Sequence, residues 1–231
     1  MNSLPGVLVA GGTGALGTAV VRELLDSGYP VTATWVIEGE RDRVREELAD
    51  RESLSLVEAD LLDPAVADAV VAGVEGLGAV VNLVGGYAET GHVHETNPDE
   101  FDRLLALNLR PLFLLARAAM PRLAEAGGGS FVGVSARPAL RPFPGATAYA
   151  TAKAAVLALI QALDVEWKAR GVRANAVLPS VIDTPANRRS QPDADYSKWV
   201  QPSEIAKVIR FLVSDDSAVT SGAAIPVYGR A

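Results

Sequence analysis

Short apolar or β-branched runs alternate with longer amphipathic ones along almost the whole chain. No single motif constrains the fold as tightly. Residues 6–10, 31–37, 54–59, 79–84, 130–134, 172–178 and 224–228 read as strands. Residues 18–27, 42–50, 64–74, 98–126, 148–169 and 202–213 read as helices. The stretch 98–126 contains Pro111 and Pro121, and an interior proline removes a backbone donor, so the pattern allows two pieces. Strict β–α alternation predicts a mostly parallel sheet with helices on both faces. Right-handed crossovers then favour one doubly wound, Rossmann-type α/β sheet of about seven strands. There is no internal repeat or Ser/Gly linker. Gly127-Gly128-Gly129 falls between a helix and a strand, where it predicts a helix C-terminal turn. Residues 1–231 therefore read as a single domain.

A chain of 231 residues can bury a sizeable core without a staple. It has no cysteine, which excludes disulfides, thiolate nucleophiles and cysteine metal sites. A formal charge of −7 disfavours a general role on nucleic acid, which needs clustered basic residues. The N-terminal stretch runs directly into a strand and lacks the basic and apolar regions of a signal peptide. No apolar run approaches the ~18 residues that would suggest a membrane span. The expectation is a soluble, cytoplasmic protein acting on a small molecule, with no nucleic-acid or membrane partner.

Gly11-Gly12-Thr13-Gly14-Ala15-Leu16-Gly17 follows the first strand and opens the first helix. Glycines let the backbone turn sharply and approach a pyrophosphate, while free N–H groups at the helix start face the anion. That context predicts dinucleotide binding, with Gly11, Thr13, Gly14, Leu16 and Gly17 at the phosphates. In many NAD-specific sites a carboxylate ends the second strand. Here Trp35 holds that place, and the first downstream carboxylate is Glu38. Arg41 and Arg43 could reach a 2′-phosphate, or could be solvated helix charges, so the balance leans to NADP over NAD. Asp60, followed by Leu61, could take the adenine amino group or simply cap the strand.

Tyr149 and Lys153 stand four apart at the start of a predicted helix, so they share one face. A free phenol has a pKa of about 10. A nearby ammonium favours the phenolate, so the pair predicts a tuned acid that can protonate a carbonyl oxygen or imine nitrogen.

Together these motifs resemble the short-chain dehydrogenase/reductase family over essentially the whole chain. Asn82-Leu83-Val84-Gly85 resembles its Asn-Asn-Ala-Gly segment, and Asn108 its helix asparagine that holds a proton-relay water. The segment from Val177 to Pro185 resembles its nicotinamide cover, with Ser180 replacing the usual glycine. The resemblance implies cofactor contacts at Asn82, Gly85, Tyr149, Lys153, Pro179, Ile182 and Thr184. It further implies that Lys153 holds the nicotinamide ribose.

The chain departs from the family in two further places. Ala15 stands where the middle glycine usually is, and Ala136 where the catalytic serine would be. Ser135 is one residue early and can substitute only if a bulge or strand-end twist reverses its side. The dihydropteridine reductase branch, which is similar in its glycine turn, also lacks the serine. It carries Gly-Gly-aromatic where Gly85-Gly86-Tyr87 stands, and its later segment resembles Asp183 to Trp199. That likeness implies substrate contacts at Tyr87, Arg188, Tyr196 and Trp199, and a lid around 185–203. A dihydropteridine-type activity and a cofactor-binding regulator with little catalysis are the alternatives to a general reductase. His92 and His94 lack further ligands with matching geometry, so no metal is expected. No G-x-S-x-G elbow is present, which disfavours a hydrolase. Apolar residues beyond one stripe of the helix 148–169 predict a homodimer or homotetramer.

Overall fold

The computed structural model describes residues 4–230. The strands are β1 (Gly6–Ala10), β2 (Val31–Trp35), β3 (Leu54–Glu58), β4 (Leu77–Asn82), β5 (Gly129–Val134), β6 (Val172–Pro179) and β7 (Ala224–Val227). The helices are α1 (Ala15–Asp26), α2 (Glu38–Glu47), α3 (Pro64–Gly73), α4 (Pro98–Glu125), α5 (Thr147–Trp167), α6 (Pro185–Ser190) and α7 (Pro202–Val213). All seven strands join one parallel sheet in the order β3-β2-β1-β4-β5-β6-β7. The chain winds outward from β1 to β3, then crosses to β4 on the other side of β1. A topological switch point therefore lies between β1 and β4, the place where open α/β sheets bind ligands at the strands' carboxyl ends.

Strand alternation divides the core into two layers. Val7, Val9, Val81, Val132 and Val177 face α1 and α7, packing on Val20, Leu24, Ile205 and Ile209. Leu8, Val80, Phe131 and Leu178 face the other way, onto Leu112, Leu115, Val156 and Ile160 of α4 and α5. Because both faces are covered, the strands read as continuous apolar runs.

Several element boundaries differ from the sequence expectation; α1 begins at Ala15 rather than at 18, and β4 spans Leu77–Asn82 rather than 79–84. Strand β2 stops at Trp35, the last residue paired to β3, and Val36 and Ile37 are exposed beyond it. Helix α2 then begins at Glu38 rather than at 42, with Glu38 and Glu40 in its first turn, where acidic side chains favour the helix dipole. Helix α4 is continuous through Pro111 and Pro121. Its buried stripe Leu104, Asn108, Leu112, Leu115, Ala119 and Leu123 offsets the two lost hydrogen bonds. Gly127 and Gly128 both have positive φ, and Gly128 N–H donates to Leu123 O, so this pair closes α4 as anticipated. Helix α4 and residues 147–170 are long and apolar enough to cross a membrane by length and composition, but half of each apolar window is buried inside the fold.

The glycine turn is set by contact. Gly11 has a φ of +73°, and a Cβ on Gly12 would lie 2.6 Å from Ala33 Cβ. A Cβ on Gly17 would lie 2.2 Å from Gly11 O, which brings α1 directly onto the turn. Gly17→Ala is expected to lower stability by about 1–3 kcal/mol through overpacking. A thermal melt should show Tm falling by roughly 3–10 °C; an unchanged Tm would contradict this packing.

Candidate active site

The residues singled out from sequence gather along the carboxyl edge of the sheet. The glycine turn leaves β1, Trp35 ends β2, Asn82 ends β4, Ser135 and Ala136 follow β5, and Pro179 ends β6. Helix α1 has Gly14 at its N-cap, with no capping side chain and no acidic residue in its first turn. The N–H groups of Ala15, Leu16 and Gly17 have no intrahelical acceptor. A Cβ on Gly14 would have only Gly11 O nearby, at 3.7 Å. Open backbone donors at an uncapped helix start fit a dinucleotide pyrophosphate.

Around the turn, Thr34 Oγ1 accepts from Gly11 N–H at 2.9 Å. Thr13 donates to Glu40 Oε2 at 3.3 Å. Arg43 donates to Thr13 O at 2.6 Å and also pairs with Glu47, so it is committed within the protein. Arg41 lies over the buried Trp35 ring, 4.7 Å from its centroid, and pairs with Asp42. Trp35 Nε1 is buried with no acceptor. Asp60 Oδ1 accepts from Leu62 N–H at 3.0 Å, capping the turn into α3, and Leu61 is buried. Asn82 Oδ1 is a second buried atom without a partner.

The Tyr–Lys pair occupies the first turns of α5. The Tyr149 ring stands perpendicular to Tyr87, with centroids 5.0 Å apart. Lys153 is buried, donates to Val134 O at 2.9 Å, and places Nζ 5.8 Å from the Tyr149 centroid. The expectation that this ammonium lowers the phenol's pKa is corrected. Burial, then the neighbouring Tyr87, push Tyr149 up to about 12, because Lys153 gives its hydrogen bond to the strand. Burial also pushes Lys153 down to about 8. At neutral pH the pair is a protonated phenol beside a largely charged amine.

Asn108 is buried, with both amide N–H groups and one lone pair of its oxygen engaged. Its Nδ2 donates to Gly86 O at 3.0 Å and Leu104 O at 2.9 Å, and its Oδ1 accepts from Gly86 N–H at 3.1 Å. A Cβ on Gly85 would lie 2.6 Å from Asn108 Oδ1 and 3.0 Å from Lys153 Nζ. Only a glycine passes between them.

Two sets of sequence-based assignments are corrected here. Ser135 donates its hydroxyl to Lys153 O at 2.7 Å and is buried. Strand alternation turns it toward α5, so it does not replace the hydroxyl that Ala136 lacks. Arg188, Tyr196 and Trp199 bind one another rather than forming an open clamp. Arg188 makes a two-pronged ion pair with buried Asp183 at 2.6 and 2.7 Å and stacks on Tyr196. Tyr196 donates toward the carbonyls of Arg188, Gln191 and Pro192. Trp199 is buried against Tyr196, 4.7 Å between centroids. Thr184 caps α6 by accepting from Asn187 N–H, and Asn187 Nδ2 donates to Ile182 O.

Sequence reasoning missed Glu40, because it began α2 four residues late. It also passed over Asp183, whose carboxyl is held below the usual range by Arg188, then Gln201; the spacing to Arg188 was the available signal. A cavity of about 820 Å³ opens at the opposite, amino ends of the strands near Pro5, Gly78 and Gly128. Its Arg122 and Arg173 are spent on carbonyls that end helices α3 and α7. No group of three or more metal-ligating side chains occurs among the described residues.

Residues 11–229 match the family model described as enoyl-(acyl carrier protein) reductase. The chain belongs to the short-chain dehydrogenase/reductase family. It is an NAD(P)-dependent oxidoreductase of small molecules. A 2-(R)-hydroxypropyl-CoM dehydrogenase of Xanthobacter autotrophicus is 34% identical over 75% of this chain and 76% of its own. A 4-formylbenzenesulfonate dehydrogenase of Comamonas testosteroni is 35% identical over 71% of each chain. Among solved structures, a short-chain type dehydrogenase/reductase from Mycobacterium ulcerans superposes with a TM-score of 0.92. It is 25% identical over 98% of this chain and 89% of its own.

The buried lysine makes stability depend on pH. Its pKa is about 8 in the fold against 10.5 as a free side chain, so between those values the unfolded chain binds more protons and stability rises with pH. The stability of the enzyme relative to Lys153→Met is expected to increase by up to about 3 kcal/mol from pH 7 to pH 10. Urea unfolding at the two pH values reads this; a pH-independent difference would contradict the burial of a charged Lys153.

Proposed function

We propose that this enzyme reduces the carbonyl or conjugated imine of a small molecule, with Tyr149 as the proton donor. What carries the reading is the protonated Tyr149 phenol beside the buried Lys153 amine at the carboxyl edge of the sheet. When bound, NAD(P)H supplies hydride to the substrate carbon while the C=O or C=N π pair moves to the heteroatom. Tyr149 gives that atom its proton, and Lys153, bonded to Val134 O, holds the start of α5 against the strand end. Asn108 fixes the Gly86 backbone, and the remaining lone pair of its Oδ1 is the acceptor for a proton relay.

In this reading Gly11 to Gly17 hold the pyrophosphate, Asp60 and Leu61 border the adenine, and Lys153 holds the nicotinamide ribose. Asn82, Gly85, Pro179, Ile182 and Thr184 border the nicotinamide. NADP is favoured over NAD, since Trp35 brings an unpartnered N–H and Arg41 covers its ring where a carboxylate would otherwise stand. Glu40 opposes a 2′-phosphate and turns away from Thr13 to admit one. Residues 185–203 act as a lid that closes as one body, because its Arg188, Tyr196 and Trp199 are bonded to each other. Half-exposed Phe113 on α4 and exposed Val165 on α5 are the apolar surface for a homodimer or homotetramer. The relatives named for a hydroxypropyl and a formyl compound support an alcohol–carbonyl pair as substrate and product.

Oxidation of NADPH and NADH is followed with 4-formylbenzenesulfonate, 9,10-phenanthrenequinone and quinonoid dihydropterin as acceptors. At least one should be reduced, with NADPH preferred. Tyr149→Phe should cost roughly 100-fold or more in kcat while cofactor affinity by calorimetry stays within about threefold. Ser135→Ala should lose about 1 kcal/mol of stability and little turnover. Equal turnover by Tyr149→Phe would overturn the mechanism.

A further inference from the structure

A substrate oxygen that gains charge as hydride arrives needs donors besides the general acid. Ala136 supplies none, the Ser135 hydroxyl is given to Lys153 O, and both Asn108 N–H groups are held by carbonyls. Tyr87 is placed differently. It is 51% exposed, its hydroxyl has no hydrogen-bond partner among the described residues, and its ring stands edge-on to Tyr149 at 5.0 Å. The two phenols are therefore near neighbours, close enough for Tyr87 to raise the Tyr149 pKa.

The backbone that carries Tyr87 is fixed. The preceding residue, Gly86, is bonded through both its N–H and its C=O to the Asn108 amide, so the tyrosine extends from a clamped peptide. The loop beyond it packs on the turn before α5, where Thr90 N–H donates to Gly145 O. Burial and the nearby Glu89 carboxylate both raise the Tyr87 pKa, which keeps the hydroxyl a donor at working pH.

We propose that the Tyr87 hydroxyl is the second hydrogen-bond donor to the substrate's reacting oxygen or nitrogen, standing in for the hydroxyl missing at Ala136. This rests on Tyr149 as the first donor. It makes Tyr87 a catalytic residue rather than a stacking wall. Phenylalanine would keep the ring and lose only the donor. The step itself is unchanged: Tyr149 delivers the proton, and Tyr87 keeps its own while bonding to the developing charge.

The test needs no known substrate. Yellow 4-nitrophenolate, kept as the anion by working at mildly alkaline pH, is titrated by absorbance into enzyme saturated with NADP⁺. Wild type should bind it, and Tyr87→Phe should weaken binding about tenfold, with cofactor affinity unchanged. The double variant Tyr87→Phe/Ala136→Ser should return to within about threefold of wild type, because the serine restores a donor on the same oxygen. Wild type that fails to bind the anion, Tyr87→Phe that binds like wild type, or a loss that Ala136→Ser does not recover would each overturn the proposal. Turnover tests the other reading separately: if Tyr149→Phe reduces a carbonyl acceptor as fast as wild type while Tyr87→Phe loses the anion, the general-acid reading fails and the Tyr87 assignment stands.

Discussion

Two hydrogen bonds running in opposite directions tie the end of β5 to α5. Lys153 Nζ donates to Val134 O, and Ser135 Oγ donates to Lys153 O. Burying an ammonium is costly unless it is hydrogen-bonded, and here the bond comes from the strand end that carries Ala136. The strap thus fixes α5 against the sheet at the point where Tyr149 must be aimed. On the other side Asn108 holds Gly86, and Gly85 threads the gap between Asn108 and Lys153. Strands β4 and β5 and helices α4 and α5 meet in this one cluster.

The same cluster explains how the chain departs from its family without losing the site. Replacing serine by alanine at 136 removes a donor but leaves the strap intact, since the strap uses Val134 and Ser135. Stability and chemistry are carried by neighbouring residues facing opposite ways. The segment 185–203 follows a similar division. Asp183 ties Arg188 and Gln201 together, so the aromatic residues there brace one another instead of reaching out.

Much of the fold was legible because both faces of the sheet are covered, which makes strands short apolar runs and helices longer amphipathic ones. The glycine turn was readable for a related reason, as Gly12 and Gly17 sit where any Cβ would strike backbone or side chain. Val36 and Ile37 look like strand, yet they lie past the last β3 partner, and that misreading delayed α2 and hid Glu40. Pattern also could not say whether α4 survives its prolines, which burial decides. At the site, spacing brought Tyr149 and Lys153 together but gave the wrong direction for the phenol's pKa, because burial outweighs an amine whose hydrogen bond goes elsewhere. Arg188, Tyr196 and Trp199 have the composition of a binding clamp, and only coordinates reveal that they are engaged with each other.

The central claim is that a nicotinamide dinucleotide lies across the carboxyl edge of the sheet, from the N-terminus of α1 to Tyr149. A crystal structure of the enzyme with NADP⁺ tests it most directly. The account predicts the pyrophosphate on the N–H groups of Ala15 to Gly17, the nicotinamide ribose on Lys153, and the ring open to Tyr149 on its substrate side. A dinucleotide bound elsewhere, or bound with its nicotinamide away from Tyr149 and Lys153, would contradict it.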